Sequence, residues 1–148
     1  MDVYREYHIF HDLFVLLDEG DRQVLRAFNL TPTQYNALLL LEPHEGWRLT
    51  DLSERLICER STVTRLVDFL ESEGLINRVA DAEDRRSQRV ILTEAGVLLR
   101  DHARAAHEES LRKRFNSLSE QEQQQLHILH QKLLSDLQAE KERVNQAP

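Results

Sequence analysis

The apolar positions near the start of the chain recur at helical intervals. Val3, Tyr7, Phe10, Phe14 and Leu17 step by four, three, four and three, which predicts a helix over residues 3 to about 27. Ile9, Leu13 and Leu16 form a second apolar stripe beside the first. A helix that is apolar on two faces is usually packed on both. The next segment, "LTPTQYNALLLLEPHEG", predicts a second helix. Thr31 is placed to cap it, Pro32 suits its first turn, Gln34 completes a capping box, and Pro43 and Gly46 end it.

Shorter periods follow. "LTDLSERLI" predicts a third helix with Thr50 as its cap and Leu49, Leu52 and Leu56 inside. After the turn "CE", a fourth helix runs from about Arg60 to Glu73. Its buried side is Val63, Leu66, Val67 and Leu70, and Gly74 closes it. The pattern then changes to alternation in "LINRVA" and "QRVIL", two short strands joined by the charged loop "DAEDRRS". Thr93 caps a fifth helix over about Glu94 to Asn116. "SEQE" at Ser119 to Glu122 opens a sixth, with Leu126, Leu129, Leu133 and Leu137 on one stripe. The fold class is therefore mainly α with a small β-hairpin. Two short helices, a tight turn and a hairpin make a winged helix-turn-helix, flanked by long terminal helices.

The 148 residues fit one domain with a real core. No apolar run exceeds the five residues of "ALLLL" at Ala37 to Leu41, far short of the ~20 residues of a membrane span. "MDVYREYHIF" lacks the basic and apolar regions of a signal peptide. The lone Cys58 cannot form an internal disulfide, so a reducing, cytoplasmic setting is expected. A net charge of −7 argues against coating nucleic acid by bulk charge, but local readout depends on where the cations sit. Residues 47–92 hold eight Arg against nine acids, a net of −1, which leaves −6 for the rest of the chain.

The fourth helix carries the functional signal. With 63, 66, 67 and 70 buried, Ser61, Thr62, Arg65 and Asp68 face outward and Thr64 lies on the flank. Small hydroxyls let a helix lie close in a major groove. Its terminal N–H groups favour phosphate, and an arginine such as Arg65 reaches guanine O6 and N7. Arg60 at the helix start is placed for a phosphate. Taken alone, such a face reads as ordinary solvated surface; a preceding helix, a tight turn and a following hairpin favour DNA. In the loop, Arg85 and Arg86 project from a rigid base, and a narrow minor groove attracts inserted arginines. Asp84 is expected to aim Arg86, with Ser87 completing the contact set. Asp81 and Glu83 take no assigned role.

From Asp84 to Gly96, "DRRSQRVILTEAG" matches D-x-R-x-x-x-V-x-L-T-x-x-G at every fixed position. With "STVTRLVDFLESEGLINR" at Ser61 to Arg78, the chain resembles the multiple antibiotic resistance regulator (MarR) family of bacterial transcription factors. The order of elements agrees over essentially the whole chain. The resemblance implies one MarR-like domain over 1–148, with 1–30 and 94–148 as dimerisation helices and 31–93 as the winged DNA-binding part. It implies a homodimer, commonly a repressor, on a pseudo-palindromic operator of double-stranded DNA. It also implies release by a small phenolic or anionic effector, bound in a cleft where dimer helices meet the winged part. Here His8, His11, Phe14, Tyr35 and His102 are the candidate lining. Leu111, Phe115, Leu118, Leu126, Leu129, Leu133, Leu134 and Leu137 independently supply more apolar surface than one helical hairpin hides.

Seven His show no metal-ligand constellation. His102 and His107 are five apart, not the four that share a helical face, so no metal is expected. Cys58 lies in the turn before the reading helix, where oxidation would disturb DNA binding. The family's peroxide sensors carry their cysteine near the first helix, where this chain has none. Nothing suggests an enzyme: no glycine-rich phosphate loop, nucleophile motif or framed carboxylate pair is present. The alternatives to a DNA-binding regulator are a winged-helix protein-interaction module and a redox sensor acting through Cys58. The wing arginines discriminate, since only DNA binding needs them.

Overall fold

The computed structural model describes residues 1–81, 84 and 87–145. The elements run α1 (Val3–Leu25), a 3-10 turn (Arg26–Phe28), α2 (Pro32–Leu40), β1 (Trp47–Arg48), α3 (Leu49–Leu56), α4 (Arg60–Ser72), β2 (Ile76–Ala80), β3 (Gln88–Leu92), α5 (Glu94–Phe115) and α6 (Glu120–Asn145). Two compact units emerge, Met1–Glu108 and Glu109–Pro148. No helix among the described residues is long and apolar enough to cross a membrane.

The core of the first unit is aliphatic. Leu25, Leu38, Leu41, Leu52, Val63, Val67, Leu70, Ile76 and Val90 are fully buried, and Trp47, Leu49 and Leu56 pack against them. α3 and α4 turn inward the faces that their sequence periods predict. α2 starts as expected: the Gln34 N–H donates to Thr31 Oγ1 at 3.3 Å and the Thr31 N–H to Gln34 Oε1 at 2.8 Å. Gly74 takes φ +70° after α4, the left-handed conformation that glycine adopts without steric cost.

Two local corrections concern the third helix. It begins after Arg48, not after Thr50, which lies within its first turn; no side chain caps it. The cause is tertiary. Trp47 and Arg48 pair with Val90 and Arg89 as a third strand, so the chain passes directly from sheet into helix. The sheet is antiparallel in the order β1-β3-β2, with Ile76 opposite Leu92 and Ala80 opposite Gln88.

The start of α5 is fixed by a compact knot. Thr93 Oγ1 donates to the Gly74 carbonyl at 2.7 Å and accepts from the Gly96 N–H at 3.0 Å, while the Thr93 N–H donates to the Leu75 carbonyl. A Cβ on Gly96 would lie 2.0 Å from the Leu75 carbonyl oxygen. The threonine and glycine of the T-x-x-G segment thus seat the helix against the end of the α4 turn. Arg100 then reaches from α5 to the Leu41 carbonyl at 3.0 Å.

The long helices bury little within one chain. α1 contains one buried residue, Leu25, and leaves Val3, Tyr7, Phe10, Leu13, Phe14 and Leu16 exposed. In the second unit the α6 capping box forms, with the Glu122 N–H donating to Ser119 Oγ and the Ser119 N–H to Glu122 Oε2. No side chain described there is buried, and Leu129, Leu133, Leu134 and Leu137 are exposed.

Candidate nucleic-acid interface

α4 sinks Val63, Leu66, Val67 and Leu70 into the core, and this fixes what it presents outward. Arg60, Ser61, Thr62, Arg65 and Asp68 are exposed, and Thr64 is half-buried on the flank. The Thr64 hydroxyl donates to the Arg60 carbonyl at 3.0 Å, and Arg65 Nε–H lies against the Ser61 carbonyl at 3.4 Å. The Arg65 side chain is therefore drawn back along the helix toward its N-terminal turn. The N-cap residue is Glu59, but its side chain makes no capping bond and no acid lies within the first turn itself. The helix end keeps its partial positive charge for an anion.

Asp68 is more than part of the outward face. It accepts from Arg78 of β2, which also donates to Glu71 through its guanidinium and, at 3.3 Å, through its backbone N–H. The Asp68 hydrogen bond, ahead of the Glu71 charge, raises Arg78 above the ordinary arginine range despite partial burial. Two carboxylates that would repel DNA are thereby matched with a cation, and the reading helix is tied to the wing's first strand.

At the wing, Arg85 and Arg86 lie outside the described residues, and so does the predicted aiming of Arg86 by Asp84. Asp84 itself is exposed. Its N–H approaches Asp81 Oδ1 at 3.4 Å and its carbonyl accepts from the Ser87 N–H at 2.8 Å. Ser87 is half-buried, and its carbonyl accepts from the Asp81 N–H at 3.0 Å.

The principal group at this site that the sequence reading missed is Asp81. It is 2% exposed. Its Oδ2 accepts from Arg48 Nε–H at 2.6 Å and from Arg89 Nε–H at 2.9 Å, and Arg89 also donates to the Gly46 carbonyl at 2.9 Å. One buried carboxylate thus ties β1, β3 and the loop base together. A buried charge needs such partners, because removing one strands the other away from water. No periodicity marks Asp81, since its partners are 33 and 8 residues away.

The other candidates separate. Tyr35 is buried, edge-on to His107, and His107 Nε2 pairs with Asp21 at 2.9 Å. Burial pushes the Tyr35 hydroxyl above its ordinary pKa. His8, His11, Phe14 and His102 are exposed in the single chain. Cys58 is half-buried, with its thiol 3.3 Å from the Leu56 carbonyl. Among the described residues no three His, Cys, Asp or Glu side chains come together as a metal site.

The family model described as MarR family matches residues 30–88, from just after the 3-10 turn to the start of β3. The Transcriptional repressor MprA of Escherichia coli K12 is 34% identical over 122 residues, which cover 80% of this chain and 69% of that protein. The chain belongs to the MarR family. A second MarR-type relative is the Organic hydroperoxide resistance transcriptional regulator of Bacillus subtilis. It is 39% identical over 82 residues, and the match covers 55% of this chain and 56% of the relative's length. Among solved structures, the S. aureus MepR–DNA complex superposes with a TM-score of 0.78 at 27% identity, covering 88% of this chain and 96% of that one. MarR members of this kind are transcriptional regulators, not enzymes. Their winged helix-turn-helix is what α3, α4 and the β-sheet build here.

Proposed function

We propose that this MarR-family chain acts in the cytoplasm as a homodimeric repressor on a pseudo-palindromic operator and leaves it when a small phenolic or anionic effector binds. The observation that carries the reading is α4. Its apolar side is sealed in the core, and its opposite side offers Ser61, Thr62 and Arg65 beside an uncapped N-terminus. Two such helices in a dimer fit successive major grooves about 10 base pairs apart. Arg60 and Thr64 serve the backbone and Arg65 a base edge. Asp84, Arg85, Arg86 and Ser87 form the wing contact, with the arginines in the minor groove. Residues 1–30 and 94–148 make the dimer, and 31–93 reads DNA. The apolar residues left exposed on α1 support this division. His8, His11, Phe14, Tyr35 and His102 are the proposed surroundings of the effector.

Selection of bound duplexes from a random pool tests the reading, and an inverted repeat is expected. Arg65→Ala should then cost about 1–3 kcal/mol at one base position per half-site and relax preference there. Equal losses on every sequence would remove Arg65 from base readout.

A further inference from the structure

Between the wing base and the start of α4 lies a cleft of about 430 Å³ bordered by Arg48, Thr50, Arg60, Thr64, Ser87 and Gln88. In a chain of net charge −7, two arginines and three hydroxyls line it, and among the described residues no carboxylate does. Arg60 is the first residue of α4, so the N-terminus of that helix adjoins the cleft; Thr50 lies in the first turn of α3, where its hydroxyl donates to Asp51 at 3.1 Å. Amide N–H groups and the helix dipole at a helix N-terminus favour an anion.

Arg48 is not a loose surface cation. Its Nε–H donates to Oδ2 of the buried Asp81 at 2.6 Å, and the same oxygen accepts from Arg89 Nε–H at 2.9 Å. A bond at Nε fixes the guanidinium plane, and the plane sets where its terminal N–H groups lie. For stability alone, well-packed apolar residues often serve as well as a buried ion cluster. They could not hold a cation at the mouth of this cleft.

We infer that the cleft seats a phosphodiester of the DNA backbone, with Arg48 and Arg60 as its cations and Asp81 as the positioning residue that fixes Arg48. This rests on the DNA-binding reading and extends the backbone role of Arg60 and Thr64 by adding Arg48 as a second cation and Asp81 as the group that holds it. The phosphate lies between the groove filled by α4 and the groove reached by the wing.

The test uses the full chain and its selected operator duplex. Arg48→Gln and Arg60→Gln are each expected to weaken operator and unrelated duplex by the same factor. Each should make the slope of log affinity against log salt shallower by about 1, with base preference unchanged. Replacing phosphates one at a time by methylphosphonate should reveal one position per half-site where both variants lose no further affinity. Arg48→Lys keeps the charge and should keep the wild-type slope. Because Arg60 is an exposed helix residue, its variant tests the site even if Arg48→Gln disturbs the wing. A wild-type slope in both glutamine variants, or sensitivity at unrelated phosphates, would overturn the site. Saturation of DNA-free protein by submillimolar inorganic phosphate, lost in Arg48→Gln, would assign the cleft to a free anion and overturn it as well. If wild type binds no duplex at all, the failure belongs to the DNA-binding reading.

Discussion

Ile57 holds φ +54° in the turn before α4, where the Cys58 N–H closes the end of α3 by donating to the Ser53 carbonyl at 3.1 Å. A left-handed conformation costs an L-residue about 1–2 kcal/mol, and a branched Cβ does not ease it. The side chain is 79% exposed, so burial returns little of that cost. Glycine removes the strain but adds about 0.5–1 kcal/mol of backbone entropy. Ile57→Gly is therefore expected to stabilise the chain by about 0.5–1 kcal/mol, read as a higher urea midpoint at unchanged slope. A lower midpoint would show that Ile57 packs against a surface that the single chain does not present. Gly96 predicts the opposite sign. A methyl there meets backbone, the Leu75 carbonyl oxygen, which cannot swing aside as a side chain would. Gly96→Ala should cost about 1–3 kcal/mol in the same measurement. The glycine was visible in the sequence as part of a motif; its reason, the approach of Leu75, was not.

At the scale of elements, the local chemistry of the termini carries most of the information. Both predicted capping boxes form because their partners are three residues apart and need nothing else from the fold. At α6, the hydrogen bonds from the Ser119 hydroxyl and then its backbone N–H hold the Glu122 carboxyl below its ordinary pKa. A depressed carboxyl stabilises the folded state above the unfolded glutamate pKa, and that contribution disappears as pH falls through the folded value. Glu122 should accordingly titrate below the ordinary glutamate value when its side-chain carboxyl shift is followed by NMR. The amides of the first α6 turn should lose protection only below that pH. An ordinary glutamate titration would mean the box is open in solution. The start of α3 went the other way: Thr50 satisfied the local rule for a cap, but pairing of Arg48 with Arg89 set the boundary two residues earlier. Sheet pairing across more than forty residues outweighs a preference of about 1 kcal/mol.

For the whole molecule, α1 leaves large apolar side chains exposed in the single chain, as α6 also does. Val3, Tyr7, Phe10, Leu13, Phe14 and Leu16 together exceed the scattered apolar exposure normal for a monomer. A second copy of the chain is the proposed cover. Phe10→Asp should place a charge in that interface, shift sedimentation from dimer to monomer at micromolar concentration, and lower operator affinity by removing the second half-site. A variant that remains dimeric and binds normally would exclude this face from the interface. The charge distribution belongs to the same scale: residues 47–92 carry −1 and the remainder −6, so most of the net negative charge lies outside the winged segment of the sequence.

The sequence by itself determined the six helices, the two hairpin strands and their faces, because helix and strand periods, capping boxes and a left-handed glycine are written within a few residues of one another; the third strand, Trp47–Arg48, came only with the fold. It also determined which side of α4 is available, since burying Val63, Leu66, Val67 and Leu70 leaves Ser61, Thr62 and Arg65 no other direction. The tertiary structure alone decided the role of the acids. Asp68 is tied to Arg78, and Asp81 is buried between Arg48 and Arg89, whose own strands meet only after the chain has folded. A charge in a sequence is legible as a charge. Whether it repels a partner, neutralises a neighbour or aims an arginine depends on distances that no local pattern contains.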